Sequence, residues 1–161
     1  MPRITEIQTR TFRLPLVGSL RWGRSSQLNE LEHVLVRVIT DTGHVGLAEA
    51  PPRPTIYGET PQSIQAINRY HLAPRLIGLE LTEMKRANEK MASVANNHTA
   101  KAAIVLCLHE AFAASQGLSL LEYLEPPRPK IKVSYILGIA EPKTMLAEAR
   151  SVYDRGVRVF K

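Results

Sequence analysis

The closing stretch of the chain constrains it most. Residues 130–137 (KIKVSYIL) read as a strand and 142–155 as a helix with Met145, Ala149 and Val152 on one side. Gly156 ends that helix, and residues 157–160 begin a second strand. Strand, helix and strand in this order form a βαβ unit with a parallel pair. A parallel pair needs cover on both faces and further strands alongside. The sequence stops on Lys161, inside the second strand, so the unit reads as the opening of a larger, incomplete α/β domain. Glu125-Pro126-Pro127-Arg128-Pro129 precedes it, and prolines so dense resist both helix and ladder. A boundary is therefore expected there, dividing residues 1–126 from 127–161.

The first segment has a different pattern. Residues 4–14 (ITEIQTRTFRL) and 31–39 (LEHVLVRVI) are strand-like, with Val34, Val36 and Val38 sharing one face. Thr40-Asp41-Thr42-Gly43 is turn chemistry, and His44 to Ala50 is the return strand. Together they predict a three-stranded antiparallel meander. Helices follow. Thr60-Pro61 supplies a cap and a first helical proline, Ile64 and Ile67 mark a buried side, and Pro74 should end or break that helix. Thr82 is placed to cap the next, where Met84, Ala87, Met91 and Val94 recur at helical spacing. Thr99 precedes KAAIVLCLHEAFAAS, apolar nearly all round and closed by Gly117, as expected of the central helix of a packed bundle.

Composition narrows the function classes. Hydrophobic residues at 44% and charged residues at 22% are ordinary globular usage. No apolar run approaches the ~18 residues of a membrane span, and the start shows no apolar leader region. Cys107 stands alone and asks for no oxidising compartment, so a cytoplasmic protein with no membrane role is expected. The net charge of +6 is uneven: residues 1–126 hold 13 basic and 12 acidic side chains, residues 127–161 hold 8 and 3. No aromatic residues interleave with clustered basic ones as stacking platforms, so nucleic acid is not the expected partner.

Two long connections carry the candidate site. Pro15–Asn29 (PLVGSLRWGRSSQLN) shows no clear period, and Ala50–Glu59 (APPRPTIYGE) follows the third strand. Unstructured connections of such length serve as lids or are disordered, and the apolar content favours a lid. In a meander both would leave from one sheet edge, bringing Arg21, Trp22, Arg24, Ile56 and Tyr57 onto one rim. An aromatic, apolar groups and two guanidiniums suit a small organic anion held by bidentate arginine. The plainer alternative has Trp22 plugging the loop onto its own domain and the arginines solvated.

The residues then acquire a family. EHVLVRVITDTGHVGLAEAPPRP, YGETPQSI, LAPRLIG, AKAAIVLCLHEA and GVRVFK, in that order and spacing, resemble the N-terminal portion of enolase-superfamily enzymes of the mandelate racemase and muconate lactonizing branch. The resemblance runs over essentially the whole chain. It implies an α+β capping domain (meander plus helical bundle) ahead of a (β/α) barrel of which this chain holds the first βαβ. The two long connections then match the loops that close over substrate. It implies a muconate cycloisomerase or a dipeptide epimerase, a homo-oligomer acting on a small carboxylate. Such enzymes abstract a proton α to a carboxylate, and Mg²⁺ stabilises the enediolate. Lys161 matches the first lysine of the family's Lys-x-Lys motif, which helps bind the substrate carboxylate and tunes the second lysine, the base. That second lysine and the metal carboxylates have no counterpart in residues 1–161, so the chain by itself is expected to be inactive and to need the missing barrel portion. Ala48 stands where a glycine often precedes the glutamate, a departure of little expected consequence.

Other candidates are weaker. His33, His44, His71, His98 and His109 contain no pair at metal-ligand helical spacing. His109 and Glu110 read as partners in polar satisfaction rather than catalysts, Cys107 as a small hydrophobe, and Glu59 as a carboxylate serving a helix dipole at the helix it precedes. A stand-alone binding module derived from such an enzyme, without catalysis, is the alternative function.

Overall fold

The computed structural model describes residues 1–22, 26–125 and 131–161, the side chains of Trp22 and Ser26 excepted. Two compact units emerge: Met1–Arg13 with Glu32–Glu125, and Leu14–Leu31 with the described part of Pro126–Lys161.

The meander is present, in the order β1 (Ile4–Trp22), β2 (Ser26–Thr40), β3 (Val45–Ala50). β2 and β3 pair antiparallel from Val34↔Ala50 to Ile39↔Val45. Strand alternation puts Val34, Val36 and Val38 on the inner face, where all three are fully buried. The turn closes through Gly43 N–H to Thr40 O at 3.0 Å, with Gly43 at φ +82°, a conformation that costs glycine little.

Helices cover that inner face. α1 (Pro54–Tyr57) is one turn, and α2 (Pro61–Ile67) starts with Thr60 and Ser63 capping each other's backbone N–H. Ahead of Pro74 the regular α-helix breaks rather than ends. The chain passes through a π-helical turn (Asn68–Leu72) and continues as α3 (Ala73–Leu76), with Pro74 inside it. A proline lacks the N–H of a regular turn and its ring crowds the carbonyl four residues back; a π turn re-routes the bonding there, and Ala73 N–H reaches Asn68 O.

The next two helices start differently from expectation, neither with a side-chain cap from its own N-cap residue. α4 (Met84–Ala92) begins at Glu83, not Thr82; its carboxylate accepts Glu80 N–H at 2.9 Å and an Arg86 guanidinium N–H at 2.7 Å. These bonds, the one from the Glu80 backbone first, hold the Glu83 carboxyl below its ordinary pKa. α5 (His98–Ser115) is entered through Asn96 and Asn97, both left-handed, with no side-chain cap of its own. Thr99 lies inside the first turn rather than before it. α6 (Leu120–Leu124) is capped reciprocally by Ser119 and Glu122.

The centre of this unit is α5 laid on the sheet. Ala100, Ala103, Ile104, Cys107, Leu108 and Ala111 are at most 2% exposed. Small side chains recurring at helical spacing bring the helix backbone down onto β3. At Gly46 the approach is so close that a Cβ would lie 1.8 Å from Cys107 O. Ile64, Leu72, Leu76, Ala87 and Met91 complete the core around it.

In the second unit β4 (Ser134–Tyr135) and β5 (Val159–Phe160) pair parallel, joined by α7 (Pro142–Asp154). Val152 is 1% exposed, and Met145 and Ala149 are half-buried on the same side of α7, as the periodicity predicts. The strands are shorter than expected. Without neighbouring strands a parallel ladder has little to extend it.

Candidate functional site

Two of the candidate residues, Ile56 and Tyr57, follow β3. An isolated antiparallel bridge between Arg53 and Glu59 closes the loop into a compact knuckle. Within it the N–H groups of Ile56 and Tyr57 donate to Arg53 O at 3.0 and 2.9 Å, and Gly58 turns the chain at φ +74°. One turn of helix has no room to bury an apolar stripe, so Ile56 and Tyr57 stand 66% and 50% exposed. Their isolation from the core leaves their surface free to meet a ligand.

Glu59 anchors this knuckle. It is 5% exposed, and its carboxylate accepts the N–H of Thr99 at 2.8 Å and of Ala100 at 3.1 Å. The carboxylate therefore serves a helix N-terminus, but that of α5, not of the helix it precedes in sequence. An expected local cap is in fact a contact between residues forty positions apart in the chain. Nearby in sequence, Glu49 Oε2 lies 2.6 Å from His33 Nδ1, and the Phe12 ring meets His33 edge-on at 5.7 Å. Sequence reasoning missed that pair. Its signal was the strand register, which sets Leu35 opposite Glu49 and so brings the neighbouring His33 within reach.

Of the other candidate residues, Arg21 and Trp22 lie in the second unit, on the ribbon that β1 and β2 form beyond Leu14. The expected irregular lid Pro15–Asn29 is largely strand: β1 runs on to Trp22 and β2 starts at Ser26. Ile139 N–H donates to Arg21 O at 3.0 Å, and a Cβ at Gly138 would lie 3.6 Å from that oxygen and 3.8 Å from Leu20 Cδ1. Arg21 is exposed. Trp22 ends β1, and Arg24 lies outside the described residues.

Lys161 joins the same stretch. Its N–H donates to Tyr135 O at 2.9 Å and its carbonyl accepts Leu137 N–H at 3.0 Å, while its side chain is exposed. The backbones of Lys161 and Arg21 thus bond to Leu137 and Ile139, at the carboxyl end of β4. In α/β barrels that end of the strands carries the active site. Tyr135 hydroxyl donates to Glu148 Oε1 at 2.7 Å, which ties β4 to α7 and pushes the Tyr135 pKa up. Arg21 and Lys161 belong to one compact unit, Ile56 and Tyr57 to the other.

The remaining polar groups behave unequally. Glu110 accepts Leu47 N–H, a polar satisfaction of the expected kind, but with the strand and not with His109. His109 Nδ1 is buried with no hydrogen-bond partner among the described residues, and its ring lies 5.8 Å from that of Tyr123. Cys107 is buried and its thiol donates to Val36 O at 3.3 Å; burial first, then the Glu110 charge, pushes its pKa up to about 12. Among the described residues no three of His, Cys, Asp and Glu converge into a group able to hold a metal ion, and no helix is long and apolar enough to cross a membrane.

A three-stranded meander closed by helices, followed by a parallel strand–helix–strand unit that a β ribbon meets at its carboxyl end, defines a capping domain with the start of a barrel. The sequence profile of the mandelate racemase / muconate lactonizing enzyme N-terminal domain matches residues 8–124, and the chain belongs to that family. It is 28% identical over 160 residues to the L-Ala-D/L-Glu epimerase of Bacillus subtilis (strain 168), covering 99% of this chain and 43% of the relative. A solved muconate lactonizing enzyme from Mucobacterium Smegmatis, complexed with muconolactone, is 43% identical with a TM-score of 0.91, over 98% of this chain and 43% of that one. A dipeptide epimerase from Methylococcus capsulatus, complexed with Mg and a dipeptide, is 29% identical with a TM-score of 0.86, over 98% of this chain and 45% of that one. The chain thus spans less than half the length of the relatives it matches.

Proposed function

We propose that this chain is the substrate-capping part of an isomerase that removes a proton α to a carboxylate, residues 1–126 forming the cap and 127–161 the opening of the barrel. The observation that carries the reading is the bond between Arg21 O and Ile139 N–H, which brings the ribbon to the carboxyl end of β4. In this proposal Arg21, with Arg24, offers a guanidinium fork to the substrate carboxylate. Trp22, Ile56 and Tyr57 close over the apolar part and exclude water. Lys161 adds a positive charge beside the carboxylate at the barrel mouth.

The described residues do not themselves furnish an Mg²⁺ site. The proton-abstracting lysine of the family motif falls after Lys161, where this sequence has no residue. The 161-residue chain is therefore proposed to bind but not to turn over, and a self-associating, Mg²⁺-dependent parent to carry the reaction. The 43% identity to a muconate lactonizing enzyme, against 28% to an epimerase, favours cycloisomerisation of an unsaturated dicarboxylate.

The test is an assay with Mg²⁺ and a panel of muconates, dipeptides and N-acylamino acids, run on the 161-residue chain and on the product of its extended reading frame. Turnover of muconates by the longer protein alone is expected. Turnover by the short chain, or of dipeptides in preference to muconates, refutes the corresponding part.

A further inference from the structure

Along β1 lies a groove of about 600 Å³, lined by residues 7–10 of β1, by Leu35 and Arg37 of β2 and by Arg69 of the π-helical turn. Its size falls within the ~300–1,000 Å³ of small-ligand pockets. Three guanidiniums line it and no carboxylate does. Elsewhere in the same unit three arginines are paired, Arg3 with Glu80, Arg13 with Glu32 and Arg86 with Glu83, while Arg75 donates to His71 O. Among the described residues none of Arg10, Arg37 and Arg69 has a carboxylate partner, and Arg69 instead lies over the Tyr70 ring at 5.4 Å.

Like charges gathered in one concavity raise its potential and draw an anion to it. The elements carrying them are held firmly. Arg37 stands between Val36 and Val38, both fully buried, and Arg69 follows Asn68, which is 1% exposed, on a turn whose π geometry sets it off the regular helix. Guanidiniums mounted on rigid backbone lose less freedom on binding than those on a loop. Ile7, which packs against the core, and Leu35 add apolar surface to the lining.

We propose that this groove binds a small polyanion bearing two or more carboxylate or phosphate groups, clamped by Arg37 and Arg69 with Arg10 as the third contact. The proposal is independent of the reaction assigned above. The test is calorimetric titration of the protein with citrate and, separately, with pyrophosphate, at ~50 mM salt, where screening is modest. Saturable binding of one anion per chain is expected, weakened at least tenfold in Arg37→Ala/Arg69→Ala. Arg37→Lys/Arg69→Lys, which keeps the charge but not the fork, should lose less, and Arg86→Ala, outside the groove, nothing. Preference for citrate identifies a carboxylate ligand, preference for pyrophosphate a phosphate one; either supports the site. Saturation by neither anion, equal affinity in both double variants and the parent, or an equal loss in Arg86→Ala overturns it.

Discussion

Gly46→Ala is the substitution that reads the packing of α5 on the sheet most directly. The new methyl would lie 1.8 Å from Cys107 O, 2.6 Å from Cys107 C and 2.9 Å from its Cα, all backbone atoms that no rotamer change can remove. Even weak C–H···O contacts keep carbon and oxygen ~3.3 Å or more apart, so helix and strand must part by about 1.5 Å. A radial gap of ~0.5–1 Å already forfeits a quarter to a half of each contact across it. The residues facing that gap include Ala103, Ile104, Cys107 and Ala111, none more than 1% exposed. Overpacking alone costs about 1–3 kcal/mol, and the lost contacts raise the expected destabilisation to about 3–5 kcal/mol. Urea unfolding followed by far-ultraviolet circular dichroism measures it. Gly43→Ala is the control. Its φ of +82° penalises a side chain, but nothing lies within 4 Å, so a loss of about 1–2 kcal/mol is expected. A Gly46→Ala loss no larger than that of Gly43→Ala would refute the packing argument.

Glu59→Gln replaces a buried carboxylate that accepts two helix N–H groups, and should cost about 1–2 kcal/mol in the same unfolding assay; no change would mean the α5 terminus is satisfied otherwise. Cys107 should resist maleimide at pH 8 until the protein unfolds. Its raised pKa gives stability that is complete below the unfolded value of 9.0 and lost as pH rises toward about 12, roughly 1 kcal/mol by pH 10, so alkaline unfolding should be shallower in Cys107→Ala. The Ser119 hydroxyl, and then its backbone N–H, hold the Glu122 carboxyl below 4.5. The cap's stabilisation is thus complete above pH 4.5 and drains away as pH falls through the lower folded value; Ser119→Ala should return the Glu122 titration, followed by NMR, toward 4.5.

Much of the fold was readable locally. Val34, Val36 and Val38 alternate because strand geometry repeats every two residues, and Ala87 with Met91 repeat at helical spacing; both sets are buried. The Thr60 cap and the Gly43 turn involve neighbours in sequence, so their chemistry shows in a short window. Misreadings cluster where the partner is distant. Thr99 stood at the head of a helix, yet the carboxylate that serves that helix start is Glu59, forty positions away. At Pro74 the regular helix is broken, as one of the two expected outcomes, but burial of Leu72 and Leu76 on either side keeps the chain helical through a π turn. Of the candidate site, the residue types were legible as an apolar, arginine-bearing pair of connections, whereas their conformation was not.

From the amino-acid order alone came the meander, the helical cover, the parallel closing unit and the family likeness, since periodicity and turn chemistry are properties of adjacent residues. Tertiary structure decided that Leu14–Trp22 is a ribbon and not an irregular lid, through the Ile139 bond to Arg21 O. It also decided that Glu59 holds α5 and that Gly46 admits the helix backbone. Each of these depends on a donor, acceptor or surface finding its complement far along the chain, and no local window contains both partners.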